Sequence, residues 1–426
     1  MKESVALWGI IFAALMLPRV LPAAEEPGPK TAIALSGAVA EALAKNPEIA
    51  TLRERVKSMQ ARANQAPYLE DPELVMQAMG VPLRGPGDLG KSDTNSVGIR
   101  QKFPFFGKLS LKEQIALQEV KMAAEQLRAK EREIVSKVKA TYADLFMAEK
   151  AVEILHEQLE IARLMIQATE ARYRVGKVTQ QDVFKALLEQ TNLMTQAVLA
   201  EEETKVSAAR FNALLNRSQQ SAVDVPPELQ LSEPSLNVAD LEQVGLANRP
   251  ELKEAERGIE KAERMYDLAD KNRKFPDFML GWDYARMPTD MTKNRYQAMV
   301  NITIPFSPWT IGRRNEEVQE ALAEIRVAKA GRDAARNMTL SEIGESAAKV
   351  RAAQKSVELY REGLLTQAEL SFRAAMAAYQ TGRIEFAGLL EAERALREAR
   401  MGHYRAQVGL AQSLADLERA AGKELP

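Results

Sequence analysis

The chain has no cysteine among its 426 residues. Disulfides, thiolate metal centres, thiol nucleophiles and a lipid anchor on an N-terminal cysteine are therefore excluded. Histidine is nearly as scarce: His156 and His403 are the two present, both on helical patterns. A histidine-based active site is not expected, and both read as solvated helix positions. Neither sign of charge is in excess, with 58 basic against 59 acidic residues. That balance gives no reason to expect nucleic acid as a partner, and no acidic run forms a tail. Aromatics make up only 6%. Ala, Leu, Glu, Arg, Lys and Gln are plentiful, which is the makeup of long helices. No nucleophile–base or metal-ligand grouping stands out, so neither an enzyme nor a cofactor is expected.

Long hydrophobic runs are missing too, with one exception. Val5–Leu17 is uncharged and apolar behind Lys2. As a helix it would reach about 20 Å, short of the roughly 30 Å hydrocarbon core. Residues 1–24 read as a signal peptide. The mature chain then leaves the cytoplasm with no transmembrane helix.

What is present is present twice. Leu43–Ile49 returns as Leu246–Leu252, with Pro47 and Pro250 lying 203 residues apart. Phe103-Pro104-Phe105 returns as Ile304-Pro305-Phe306, at an offset of 201. Tyr173-Arg-Val-Gly176 returns as Tyr379-Gln-Thr-Gly382, at an offset of 206. A repeat this long is a duplicated half, not a solenoid unit of roughly 20–50 residues. The halves are residues 25–216 and 241–421, joined by a connector at 217–240 and followed by a tail at 422–426.

Each half opens with a helix, at 36–65 and 240–272. Ser36 is a cap candidate for the first, and Asn46-Pro47 interrupts it. Strands follow at 72–82 and 94–104, then at 276–286 and 296–305. Val97, Ile99, Phe278, Leu280, Trp282, Tyr284, Val300, Ile302 and Ile304 fall on one side of a period-2 pattern, with Gly281, Asp283, Asn301 and Thr303 on the other. Lys108 to about Ala171 lacks proline and glycine. Its apolar positions step by 4 and 3 from Ile134 through Leu145 and Leu155 to Ile166, a heptad seam. The second half repeats the seam from Ile343 to Leu364, within a helix over about 314–379. Returning helices run to about Asn216 and over 386–421. The first of these carries Val183, Leu187, Met194, Ala197 and Phe211 on the seam spacing. Gly176 and Gly382 make the turns.

Strands of about ten residues suit a bilayer crossing. Four of them with one greasy face cannot close, and in lipid every edge must be paired. The chain must therefore oligomerise, and three copies supply the strands of an open lumen. The expected fold is mainly α with a small membrane β part: a trimeric 12-strand β-barrel continued by an α-helical tunnel. A soluble periplasmic coiled-coil scaffold or adaptor is the alternative. Met76, Met79, Met279, Met287, Met291 and Met299 are scattered, so core or barrel filling is expected of them instead of a copper site.

The duplicated layout, the junction Gln101-Lys-Phe-Pro104-Phe-Phe-Gly107-Lys108, Lys139-Ala-Thr-Tyr142 and the two Tyr-x-x-Gly tips resemble the TolC family of outer-membrane efflux proteins. The junction looks most like its heavy-metal-efflux branch. The resemblance implies an outer-membrane homotrimer with its helical tunnel in the periplasm. It implies an exit duct for metal cations or drugs, partnered by a periplasmic adaptor and an inner-membrane resistance-nodulation-division pump. It also implies acidic gate rings six and nine residues past the tip glycine. Those positions hold Gly388 and Glu391 here, and Asp182 and Lys185 in the first half. Val175, Gly176, Lys177, Thr381, Gly382 and Arg383 correspond to the adaptor-contact tips.

Overall fold

The computed structural model describes residues 34–81, 89–229, 237–288 and 290–425. The expected signal peptide and most of the loop after the first strand lie outside them. The first half reads α1 (Leu35–Lys45), α2 (Pro47–Gln65), β1 (Glu73–Met79), β2 (Thr94–Phe103), α3 (Lys108–Arg174) and α4 (Gln180–Leu214). The second reads α5 (Val238–Asn248), α6 (Pro250–Lys274), β3 (Phe278–Arg286), β4 (Arg295–Ile302), α7 (Ile311–Leu359), α8 (Leu365–Gln380) and α9 (Phe386–Ala421). A π turn, Tyr360–Leu364, separates α7 from α8. α5 opens inside the stretch read as connector.

The break between α1 and α2 has a local cause. Asn46 is extended, and its side chain accepts from the backbone N–H of Glu48 at 2.9 Å. Pro47 takes the first helical position, where its missing N–H costs nothing. The Asn46 amide also donates to the Leu214 carbonyl at 2.9 Å, tying the break to the end of α4. Arg249-Pro250 repeats the break, with the buried Arg249 guanidinium bonding Glu342 at 2.6 Å. Ser36 is not a cap: α1 starts one residue earlier, with Ala34 at the cap position.

α3 is 67 residues long, about 100 Å at 1.5 Å per residue. Its seam is the core: Ile134, Val138, Leu145, Ala148, Leu155, Leu159, Ala162 and Ile166 are buried. α3 packs on α4 and on α9, and α9 packs on α7 and α8. Towards the tips the helices therefore lie in the order α4, α3, α9, α7–α8, with α4 and α7–α8 as edges. Towards the sheet, α2 and α6 flank α3, and α6 meets α7.

Two seam assignments shift. On α4, Leu187 and Met194 are exposed, and the buried stripe runs through Ala186, Glu189, Leu193, Ala197 and Phe211. An edge helix has apolar residues on two faces, and the greasier stripe faces outward. On the second rod, Leu364 is 48% exposed where its repeat partner Leu159 is 9%. The repeat offset is 205 from Val138 to Ile343 but 206 from Tyr173 to Tyr379. The π turn absorbs the extra residue, so the buried phase beyond it shifts by one.

The four strands form one antiparallel sheet in the order β1-β2-β3-β4. Pairing Ile99 with Trp282, Trp282 with Ala298 and Leu280 with Val300 puts the apolar side chains on one face. β4 ends at Ile302, so Ile304 lies beyond the sheet.

Candidate functional site

The sheet joins the rods through an ion pair between a buried lysine and a partly buried aspartate. The Lys108 ammonium is 2.8 Å from Asp277 and 2.9 Å from the Phe275 carbonyl. The Phe105 N–H donates to the same Asp277 carboxylate at 2.9 Å. Above this, the Phe105 and Phe275 rings stack at 4.4 Å and 11°. A buried ammonium needs this full set of acceptors. Sequence reading singled out the Phe-Pro-Phe-Phe-Gly-Lys run but not its partner, Asp277.

Eight of the nine residues expected to meet lipid share the apolar face; the ninth is Ile304. Val97, Ile99, Leu280, Trp282, Tyr284, Val300 and Ile302 are exposed there, and Leu74, Met76 and Tyr296 extend the patch. A contiguous exposed apolar patch of this kind marks an interaction surface, since soluble monomers rarely leave large ones uncovered. The opposite face carries Arg100, Lys102, Asp283, Gln297 and Asn301. Among the methionines, Met76 falls on the apolar face and Met79, Met279 and Met299 on the polar one.

Both tips are built alike. Gly176 and Gly382 have φ of 70° and 81°, in the left-handed region that glycine enters without strain. The N–H of Lys177 donates to Arg172 O at 2.9 Å and that of Arg383 to Ala378 O at 2.8 Å, closing each helix end. Val175, Gly176, Lys177, Thr381, Gly382 and Arg383 are all exposed. Beyond the turns the halves differ. Asp182 closes a capping box with Thr179, accepting from its N–H at 3.2 Å. Gly388, its counterpart, caps nothing. Glu391 is exposed one turn further along α9, whereas Asp182 is committed to the start of α4.

The tip tyrosines differ as well. Tyr173 is exposed and Tyr379 fully buried. The Tyr379 hydroxyl donates to Thr169 at 3.0 Å, and Arg172 lies 4.5 Å over its ring and donates to its carbonyl. Burial pushes the Tyr379 phenol up. These bonds fasten the second tip to the end of α3. The Tyr-x-x-Gly repeat gave no sign of which tyrosine would be inside.

Higher up lies a polar layer. Ile154, Leu155, Leu193, Ala197 and Met401 form one apolar cluster, and Met165, Ile166, Ala186, Phe386 and Leu389 the next. Between them in sequence, on three helices, stand the buried side chains of Gln158, Glu189 and Glu393. Glu189 bonds Arg394 and Arg397. Burial pushes the Glu189 carboxyl up, but the two guanidiniums outweigh it and hold it below the usual range. Burial pushes Glu393 up to about 7, against the pull of Arg397. His403 is half-buried instead of solvated, its Nδ1 without a partner among the described residues. Burial and then Arg361 lower its pKa.

No helix among the described residues is long and apolar enough to cross a membrane. Known proteins match the chain over nearly its whole length. It is 22% identical over 402 residues to the cobalt-zinc-cadmium resistance protein CzcC of Cupriavidus metallidurans, covering 94% of this chain and 91% of that one. Its fold matches the outer membrane protein VceC of Vibrio cholerae with a TM-score of 0.75 at 20% identity, covering 92% and 97% of the two chains. It matches CusC with a TM-score of 0.76 at 19% identity, covering 91% and 92%. The outer membrane efflux protein model matches residues 38–217 and 241–423, one span for each half. The duplicated strand-and-rod chain therefore belongs to the outer membrane efflux protein family.

Proposed function

We propose that three copies close into a 12-strand outer-membrane barrel continued by a helical tunnel. The trimer is the passive exit duct of a tripartite efflux system. One observation carries the proposal: the protomer ends in open edges on both sides. β1 and β4 each have a single strand partner. α4 exposes Phe184, Leu188, Val198 and Leu199, and the α7–α8 edge exposes Val327, Met338, Leu359 and Leu370. In lipid an unpaired strand edge is untenable. An edge that differs from its opposite joins head to tail and repeats until the ring closes.

The exposed tips then meet a periplasmic adaptor, and an inner-membrane pump of the resistance-nodulation-division type supplies the energy. Glu391, repeated by threefold symmetry, lines the entrance. Metal cations are the favoured cargo, because the cobalt-zinc-cadmium resistance relative aligns over nearly the whole chain and the junction motif resembles the heavy-metal branch. The test is the mass of the detergent-solubilised protein. Three chains per particle supports the duct. A monodisperse monomer in water without detergent overturns it and favours the periplasmic scaffold.

A further inference from the structure

A groove of about 500 Å³ opens where the apolar face of the sheet meets the rods. Leu69, Phe103, Phe105, Phe106, Phe278 and Leu280 line it. At its base Phe105 is stacked on Phe275 beside the Lys108–Asp277 pair. Phe106 is 85% exposed at its mouth. Gly107, also in the lining, leaves a space that the Lys271 side chain fills: a Cβ there would sit 2.5 Å from the Lys271 ammonium.

Lys271 makes no ion pair among the described residues. Its neighbours Arg273 and Lys274 both bond Asp270, each at 2.6 Å. α3 begins beside the same spot with no acidic residue in its first turn, so its dipole adds to the positive field. An apolar slot with an unpaired cation beside Gly107, at its edge, matches a ligand with a hydrocarbon chain and an anionic head. The slot lies on the two inner strands, β2 and β3, so joining β4 of one copy to β1 of the next leaves it open. It is also continuous with the face read above as lipid-facing.

We propose that this groove seats an acyl chain of an anionic membrane phospholipid, whose phosphate rests on Lys271. The proposal depends on the barrel reading. A lysine at a membrane surface favours an anionic lipid by roughly 1 kcal/mol, about fivefold.

The test reconstitutes the full-length protein in vesicles of equal parts phosphatidylglycerol and phosphatidylcholine. Detergent then extracts it, and native mass spectrometry reads the lipids retained. The expected result is about fivefold enrichment of phosphatidylglycerol, lost in Lys271→Ala and kept in Lys271→Arg, with equal recovery of all three proteins. Equal retention of the two lipids by the wild type, or unchanged enrichment in Lys271→Ala, overturns the site. Flotation of the same vesicles separates the two readings. Protein that floats without enrichment sinks the lipid site alone, and protein that never enters the vesicles sinks the barrel with it.

Discussion

Glu189 on α4 and Glu393 on α9 each lie 3.0 Å from one guanidinium, that of Arg397. The two carboxylates respond to pH in opposite senses. Glu393 has its folded value raised from 4.5 to about 7. The stability it lends is complete below about pH 4.5 and is lost as pH rises through 7. Glu189 is held below the usual range, so its contribution persists at neutral pH and is lost only in acid. From mildly acid to alkaline conditions the layer passes from one buried carboxylate charge to two. The displacement of Glu393 corresponds to about 3 kcal/mol. Protection factors of amides on α4 and α9 near the layer, taken against the intrinsic exchange rate at each pH, should be lower at about pH 8 than at about pH 5.5. In Glu393→Gln the difference should vanish. Equal protection factors at both pH values in the wild type would remove the switch.

Tyr360 lies where a Cβ on Gly402 would sit, 2.5 Å from its ring carbon. Only a bare α-carbon on α9 lets the π turn tuck its first residue inward. Gly402→Ala should force Tyr360 out and cost about 1–3 kcal/mol, the usual range for overpacking. Thermal unfolding of the solubilised protein measures this. Gly409→Ala, on the same helix with open space around its α-carbon, should be neutral or slightly stabilising.

How much of this was legible differs by element. The strands and rods follow from period 2 and period 3.5, which few sequences keep by chance. The π turn was legible as well, in the change of offset from 205 to 206. Pairing Leu364 with Leu159 ignored that change. The polar layer left a trace too: Glu393 stands four residues after Leu389 and three before Leu396, in the seam itself. On helices rich in glutamate that spacing alone does not set it apart from a surface residue. The Lys108–Asp277 pair was not legible, because 169 residues separate its members and no local pattern joins them. Alternation continues to Ile304, past the end of β4 at Ile302, so a period-2 pattern alone overruns the sheet.

Trp282 is 56% exposed at the middle of the apolar face, against Tyr296. Trp282→Asp places a carboxylate on that face. If the face meets lipid as proposed, the cost is about 2 kcal/mol per chain near mid-depth, borne by each chain of the proposed trimer. Outer-membrane recovery should fall severalfold, with the protein accumulating in the soluble fraction. Asn301→Asp, on the opposite face, should leave recovery unchanged. Equal yields from both variants would mean that the face does not meet lipid.

Glu391 and Asp182 were both candidates for the entrance ring, and the structure separates what their removal should do. Asp182 holds the first turn of α4 through its box with Thr179. Asp182→Ala should therefore lower stability by about 1 kcal/mol with little change in cation block. Glu391 has no ion pair among the described residues, and nothing in the fold requires its charge. Glu391→Ala should leave the unfolding temperature alone. In planar bilayers, millimolar divalent cations should reduce the wild-type conductance, because in the proposed trimer three Glu391 carboxylates at one level would concentrate a negative field. The same ions should act far more weakly on Glu391→Ala. Identical block in the two proteins would put the narrowing elsewhere along the tunnel. Loss of block in Asp182→Ala instead would return the ring to the first half, and the cap would then be its scaffold.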